Sequence, residues 1–240
     1  MAGKFGRRFA RRFVLVLAGL AVLTLAGPAA GLSDAEYREM MKDPDFAKAD
    51  RALNEEWSRL LKEGGLSKAG IKALKAEQEE WVRKGRDAEA RRYMTDDGYT
   101  ALEAYTAVTG MRTDALPDLA ERIFLQDRPD GPQGYYVRRE DDRETSWLSV
   151  RWTDKEAGEV KVGMEANLVL GPKDVEYRYW SGGGTVRKGV LKADGEYDGQ
   201  GSATFTFKGD SVQVVVSPDI APDVDVTLDG TYVRQRLPKP

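Results

Sequence analysis

The chain has 240 residues with 37 basic and 40 acidic side chains, a formal net charge of −3. Hydrophobic residues make up 41% of the chain and charged residues 32%, a globular composition long enough for two small domains. Cysteine and histidine are absent, which excludes disulfide bonds, a Cys or His nucleophile or base, and nearly every zinc site.

Residues 1–31 have the order of charge and apolarity that is typical of a secretory signal peptide. Five basic residues lead into an apolar run from Phe13 to Ala26, and small residues follow. About 14 apolar residues are few for a bilayer span of about 20, so we expect cleavage near Ala30 or Gly31 and no stable membrane span afterwards. An uncleaved membrane anchor is the alternative.

Removal of residues 1–31 changes the charge balance of the chain. Without their five basic side chains, 32 basic and 40 acidic side chains remain, a net charge of −8. The sequence therefore predicts an acidic periplasmic or secreted protein, with a basic protein as a better partner than nucleic acid.

Residues 32–126 are predicted to form a helical domain that opens with a helical hairpin. Ser33 and Glu36 form a capping-box signature at the start of a short helix. Two amphipathic arms then lie on either side of Gly64-Gly65, from about 45 to 62 and from 67 to 94. Each apolar stripe needs a cover, so the sequence predicts an antiparallel hairpin in which Trp57 and Trp81 are each buried against the opposite arm.

Two more helices are predicted before the end of this domain. The turn signal Asp96-Asp97-Gly98 precedes an amphipathic stretch from Tyr99 to about Gly110. A separate helix is expected from Pro117 to Gln126, because proline suits the first turn of a helix.

Residues 127–134 are predicted to be a linker, and residues 135–240 an antiparallel β-domain. The sequence DRPDGPQG has two prolines and two glycines in eight residues. Beyond it, apolar residues alternate with polar ones, as in strands that have one face on a core. Turn signals are expected at 155–158, 171–172, 181–184, 194–201, 209–210 and 218–222. The predicted fold is α+β, a helical hairpin or bundle followed by a barrel or sandwich of about eight strands.

A repeat marks the two ends of the β-domain. Residues 134–138 read GYYVR and residues 230–234 read GTYVR. We expect these first and last strands to pair and close a barrel, which removes exposed strand edges.

The helical hairpin resembles the N-terminal domain of the LprI family of lysozyme inhibitors. The residues that carry the resemblance are Asp50, Asn54 and Trp57 in the first arm and Gln78, Trp81, Arg86 and Asp87 in the second. Downstream, Thr109, Arg112 and Leu116 are similar to the trailing motif of that family, so the resemblance covers residues 40–116. Taken singly, these residues favour structural roles in packing, hydrogen bonding and ion pairing.

The chain departs from the family pattern at one spacing. Four residues, Val82 to Gly85, separate Trp81 from the Arg86-Asp87 pair, where the family has three. One extra residue turns a helix by about 100°, so either the pair faces elsewhere or a π-bulge near Gly85 absorbs the residue. The cysteines of the family are also missing, and Ala90 stands where one is usual.

Two segments of the β-domain resemble motifs of the MliC-type lysozyme inhibitors, which are small barrels. These are Ser181-Gly182 and Lys208-Gly209-Asp210, although the interval is longer here and the intervening tyrosine is absent. The candidate binding residues are therefore Ser181, Thr185 and Lys208, with the glycine-rich stretch from 181 to 185 forming a surface turn or a protruding loop.

Together these resemblances imply an inhibitor of lysozyme, or of another cell-wall hydrolase, that acts by protein–protein binding. Paired carboxylates such as Asp96-Asp97 lie in turn-like, solvated segments and have no partner nucleophile, so we expect neither an enzyme nor a cofactor or metal. The alternative is a periplasmic binding or scaffold module without inhibitory activity.

Overall fold

A computed structural model describes residues 32–140, 143–171, 174–197, 201–217 and 227–237. The predicted signal peptide, the predicted turn at 218–222 and most of the predicted strand around Val224 and Val226 lie outside these residues. The chain divides into two compact units, residues 1–123 and 124–240, which are described separately as the helical unit and the β-unit.

The helical unit follows the predicted order of elements. Its helices are α1 (Asp34–Met40), α2 (Pro44–Glu63), α3 (Lys68–Glu80), a π-helical turn (Trp81–Gly85), α4 (Arg86–Asp96) and α5 (Ala101–Asp127). The predicted capping box is present, because the Ser33 hydroxyl accepts from the Glu36 backbone and the Glu36 carboxylate accepts from the Ser33 backbone. Asp43 caps α2 ahead of Pro44, which occupies its first turn. The helical hairpin prediction is confirmed.

The last predicted helices form a single element. Helix α5 runs unbroken from Ala101 to Asp127 and contains Pro117, so the separate helix expected at that proline is wrong. Proline removes one backbone hydrogen bond from a helix interior. Leu116, Leu119 and Ile123 are buried on both sides of Pro117, and we attribute the continuity of the helix to that burial.

The burial of the two hairpin tryptophans differs from the prediction. Trp81 is buried, with 8% of its surface exposed, whereas Trp57 is only partly buried. The expectation that both indoles are buried is therefore right for Trp81 and wrong for Trp57. The core positions of α2 are instead Phe46, Leu53 and Leu60, seven residues apart, a spacing that keeps them on one helix face.

The described residues of the β-unit form eight antiparallel strands in a nearly closed barrel. They are β1 (Gly134–Glu140), β2 (Arg143–Asp154), β3 (Glu159–Gly171), β4 (Asp174–Thr185), β5 (Val190–Asp194), β6 (Ser202–Lys208), β7 (Ser211–Val216) and β8 (Gly230–Gln235). Their order in the sheet is β4-β3-β2-β1-β8-β7-β6-β5. The two edges meet at a bridge between Gly182 and Gly195, where the Glu196 amide donates to the Ser181 carbonyl at 2.8 Å.

The repeated strands pair as predicted, with Val137 opposite Val233. Their side chains form matching contacts across the pair. The Arg234 guanidinium lies over the Tyr136 ring, and the Arg138 guanidinium lies over the Tyr232 ring. Each tyrosine hydroxyl donates to the carbonyl four residues earlier, Tyr136 to Pro132 at 2.7 Å and Tyr232 to Leu228 at 2.9 Å. The repeat therefore encodes two equivalent tyrosine–arginine contacts that hold the first and last strands together.

The barrel interior is filled by apolar side chains. Val160, Val162 and Met164 of β3 alternate inward, and Trp180 of β4 packs against Phe205 of β6 with ring centroids 5.5 Å apart. A second cluster lies on the outer face of the sheet. Its buried members are Leu125, Tyr135, Val137 and Trp147, with Phe124 and Tyr179 packed against them.

The turn predicted at Ser181 to Gly184 is wrong. These residues belong to β4 and pair with β3, Ser181 opposite Gly163 and Gly184 opposite Val160. Glycine is required here for space rather than for a turn. A Cβ atom on Gly182 would lie 2.5 Å from Trp180 Cη2 and 2.6 Å from the Asp194 carbonyl oxygen.

Candidate functional site

The π-helical turn decides where the family-like residues of the helical unit point. The Arg86 amide donates to the Trp81 carbonyl, five residues earlier, so Trp81–Gly85 accommodates one more residue than an α-helical turn. This is the π-bulge that the spacing left open as one of two alternatives. Gly85 permits it, because a Cβ atom there would lie 2.9 Å from Trp81 Cδ1.

Beyond the π-turn, Arg86 and Asp87 face the interior of the helical unit. Asp87 is buried and accepts from the Tyr105 hydroxyl at 3.0 Å and from Arg86 Nε at 3.3 Å. The Arg86 guanidinium also lies 5.8 Å from the centre of the Tyr105 ring. Burial, followed by the hydrogen bond to Asp87, raises the pKa of Tyr105 to about 12, so its hydroxyl stays protonated and donates.

Arg112 of α5 forms the second part of the network. Its Nε donates to Gln78 Oε1 at 2.9 Å, and its guanidinium lies 5.2 Å from the centre of the Trp81 ring. Burial raises the pKa of the nearby Glu89 carboxyl, while a hydrogen bond from Trp81 and the positive charge of Arg112 act in the opposite direction. The trailing family-like residues Thr109 and Leu116 are both buried.

Asp50 and Asn54 form the third part, on α2. Asn54 Nδ2 donates to the Asp50 carbonyl and to Asp50 Oδ2, both at 2.9 Å. Burial, followed by a hydrogen bond with Asp50, raises the pKa of Tyr37 to about 12, and the charge of Arg86 opposes that shift. The family-like side chains of α2 to α5 that form these bonds therefore pair within the helical unit, in three groups: Asp50 with Asn54, Gln78 with Arg112, and Arg86 with Asp87.

The candidate binding residues of the β-unit lie on different strands. Ser181 is buried in β4, and its hydroxyl donates to Glu196 Oε2 at 3.0 Å. Thr185 is the last residue of β4 and is partly buried. Lys208 is exposed at the end of β6, where Gly209 with φ 60° opens a tight turn into β7. Strand β5 lies between β4 and β6 around the barrel, so Ser181 of β4 and Lys208 of β6 are not on neighbouring strands.

A surface turn of the helical unit combines negative charge with an exposed aromatic ring. Asp96 and Asp97 precede Gly98, which has φ 72°, and the ring of Tyr99 is 42% exposed. Tyr99 stacks on Tyr93 with centroids 5.5 Å apart. Glu103 accepts from the Thr100 amide at 2.8 Å, a capping box that fixes this turn against α5. We call residues 96–103 the acidic turn. The sequence indicated a turn here, but the stacking of the two tyrosines was not foreseen.

The β-unit also buries a carboxyl group that is not among the site residues predicted from the sequence. Glu165 of β3 is 1% exposed and lies between Trp147 and Tyr179 of the neighbouring strands. Burial raises its pKa to about 7, and weak polar contacts with Asn167 and Trp147 offset only part of that shift. Strand alternation places residue 165 on the outer face, where a glutamate is ordinary, so the pattern gave no sign of its burial.

Comparison of the chain with protein-family models, with curated protein sequences and with solved structures finds no match. Within the described ranges, no helix has both the length and the apolarity needed to span a bilayer. The same residues contain no group of three or more acidic side chains placed to hold a metal ion.

Proposed function

We propose that the chain is an exported, non-enzymatic inhibitor of lysozyme, or of another basic cell-wall hydrolase, that acts by protein–protein binding. The observation that carries the proposal is the arrangement of the family-like residues. Gln78, Trp81, Arg86, Asp87 and Arg112 bond within one unit, and the π-turn compensates for the residue by which the sequence departs from the family. The proposal is supported by the sequence resemblance together with these contacts, which place the residues of the motif within one unit.

The acidic turn is the surface that we propose for the contact. Its carboxylates match a basic hydrolase in charge, and complementary charge accelerates association and fixes orientation. Tyr99 supplies the kind of exposed, rigid aromatic side chain that concentrates binding energy at protein interfaces. Ser181 of the β-unit is buried, and the exposed positive charge of Lys208 would repel a basic hydrolase, so the acidic turn supports the contact better than these two earlier candidates.

The experiment is a lysis assay with the purified protein and several lysozymes, combined with direct measurement of binding. We expect slower loss of turbidity at a molar excess of protein. Asp97→Lys and Tyr99→Ala should each weaken binding about tenfold or more, because truncation of an interface aromatic or reversal of a facing charge costs about 1.4 kcal/mol or more. Glu55→Lys, an equal charge change at an exposed position of α2, is the matched control and should bind normally.

Unaffected lysis at excess protein, with no binding to any lysozyme, removes the inhibitor proposal. Binding without inhibition favours the alternative function, a periplasmic binding or scaffold module. A glycosidase would instead release peptidoglycan fragments by itself, and substitution of its catalytic carboxylates would abolish that release.

A further inference from the structure

Two tight turns lie side by side at one end of the barrel. Arg187 and Val190 exchange both backbone hydrogen bonds, at 2.8 and 3.0 Å, around Lys188 and Gly189. Lys188 has φ 53° and Gly189 has φ 77°, so the turn places a lysine in a left-handed conformation that asparagine or glycine usually fills. The Phe207 amide donates to the Gly189 carbonyl at 2.8 Å, which holds this turn beside Lys208 and the β6–β7 turn.

The end of β8 adds two arginines to the same end of the barrel. The Arg234 amide donates to the Asp210 carbonyl at 2.8 Å, next to the β6–β7 turn. Arg234 Nη1 and Arg236 Nη2 both contact Asp210 Oδ1, at 3.4 and 2.8 Å. One carboxylate is therefore shared by two guanidinium groups and leaves an excess of positive charge.

We call this surface the cationic rim, formed by the exposed side chains of Arg187, Lys188, Lys208 and Arg236. The Arg234 side chain is 7% exposed and lies over the Tyr136 ring, so it contributes charge from beneath the surface. The carboxylate of Asp210 offsets part of the charge of the rim through the two arginines of β8 and its end. Arg187, Lys188 and Lys208 are exposed, and none of the ion pairs among the described residues includes them.

Among the described residues, the unpaired cations of the cationic rim lie on one side of that end of the barrel, and carboxylates lie on the other. The β2–β3 turn lies at the same end, because the Val186 amide donates to the Gly158 carbonyl at 2.9 Å. That turn carries Glu156 and Glu159, and its Lys155 pairs with Asp130 at 2.6 Å. A local excess of positive charge in a chain with a net charge of −3 favours an anionic partner at this surface.

We propose that the cationic rim docks the β-unit on the surface of an anionic phospholipid bilayer. The free cations extend from the tips of separate turns rather than from the walls of one cleft, so they match an extended plane of phosphates better than a small anion. The turn tips carry lysine, glycine and aspartate, so the association is electrostatic and peripheral.

This inference does not rest on the lysozyme proposal. A basic hydrolase is repelled by the cationic rim, so a membrane contact here and a hydrolase contact at the acidic turn would use surfaces of opposite charge. Failure of either proposal leaves the other unaffected.

The test is a vesicle co-sedimentation assay with the protein purified after export, its first residue defined by intact mass. Vesicles of phosphatidylcholine alone are compared with vesicles that contain phosphatidylglycerol, at low and at high salt. The triple variant Arg187→Gln, Lys188→Asn, Lys208→Gln is compared with the wild type. If part of residues 1–31 is retained, it multiplies the partition coefficients of both proteins by the same factor. That factor cancels in the ratio of the two partition coefficients.

On the anionic vesicles at low salt, we expect the triple variant to partition roughly a hundredfold more weakly, since each of the three surface cations contributes about fivefold. The matched control removes three exposed lysines from the helical unit, Lys48→Gln, Lys72→Gln and Lys75→Gln, and should stay within a fewfold of the wild type. High salt should remove the difference, because the Debye length falls to about 3 Å at 1 M.

The charge-preserving variant Arg187→Lys, Lys208→Arg guards against a loss caused by misfolding and should bind like the wild type. Equal partition of the triple variant and the control triple overturns the proposal, as does equal binding of the wild type to neutral and anionic vesicles. Loss of binding to a soluble polyanion such as heparin, with vesicle binding unchanged, also overturns it and assigns the rim to a polymer.

Discussion

The helical unit and the β-unit each bury carboxyl groups, but they treat them differently. In the helical unit, Asp87 bonds to Arg86, and Glu89 lies in the field of Arg112. In the β-unit, the polar neighbours of Glu165 that affect its pKa are the neutral side chains of Asn167 and Trp147. A buried charge is tolerated when it is paired and hydrogen-bonded, and it is costly otherwise.

The two units are held together by different kinds of contact. The helical unit depends on hydrogen bonds between residues of different helices, such as the bond from Tyr105 to Asp87, as well as on the burial of its apolar stripe. The β-unit depends on a filled barrel, with Trp180 and Phe205 in contact at its centre. Substitutions in the two units should therefore fail for different reasons, and variants of decreasing expected effect test that contrast.

The largest effect is expected from Trp180→Ala in the β-unit. Trp180 is fully buried, and removal of its indole leaves a cavity in the barrel, so the free energy of unfolding should fall by about 4 kcal/mol. Urea denaturation followed by tryptophan fluorescence measures the loss. Tyr177→Ala, at an exposed position of the same strand, is the control and should change stability by less than about 0.5 kcal/mol. A loss below about 1 kcal/mol for Trp180→Ala would show that the barrel is not tightly packed.

The counterpart in the helical unit is Asp87→Ala. It leaves Arg86 without its buried partner and the Tyr105 hydroxyl without its acceptor, so we expect a loss of roughly 3 kcal/mol. Far-UV circular dichroism during denaturation reports on the helices. The control Asp97→Ala removes an exposed carboxylate and should be nearly neutral. If both variants unfold alike, the network contributes little and the contrast between the two units disappears.

The third prediction concerns the pH dependence that Glu165 gives the β-unit. Its ordinary pKa of 4.5 is raised to about 7 by burial, so between these values the unfolded chain releases the proton and the folded chain keeps it. Stability is therefore lost as the pH rises from 4.5 to 7, and the loss is complete above 7. The loss is at most roughly 3 kcal/mol.

Glu165→Gln removes the ionisable group and should relieve that loss. We expect the variant to gain stability over the wild type at about pH 8.5 and to match it at about pH 4.5, as measured by denaturation at both values. The corresponding change in the helical unit, Glu89→Gln, should give a smaller difference between the two pH values, because Trp81 and Arg112 oppose the effect of burial there. A gain for Glu165→Gln that is the same at both pH values would assign the effect to packing rather than to charge.

Local signals predicted much of this fold. The capping box at Ser33 and Glu36, the helix start at Pro44 and the pairing of the repeated strands all depend on residues that are near in sequence or that repeat each other. The spacing between Trp81 and Arg86 shows that the helix contains one extra residue. It does not show whether a π-turn absorbs that residue or the following pair faces elsewhere, so the sequence leaves both alternatives open.

The candidate site was harder to predict because it depends on contacts between distant residues. Arg112 and Gln78 are 34 positions apart, and no local pattern relates them. The glycines of β4 are typical of a turn in sequence, whereas in the structure Gly182 lies against the Trp180 ring and makes room for it. The burial of Glu165 likewise comes from the neighbouring strands, which a single-strand pattern does not report.

The smallest predicted effect compares two glycines within the helices of the helical unit. Gly110 of α5 has open space where the Cβ atom of an alanine would lie, so Gly110→Ala should stabilise the protein by about 1 kcal/mol through helix propensity alone. Gly85 has the same helical backbone, but its Cβ atom would lie 2.9 Å from Trp81 Cδ1. Gly85→Ala should therefore cost stability despite the better propensity of alanine. Thermal denaturation of the two variants should give shifts of opposite sign, and a positive shift for both would mean that the π-turn does not require the close approach of Gly85 to the indole.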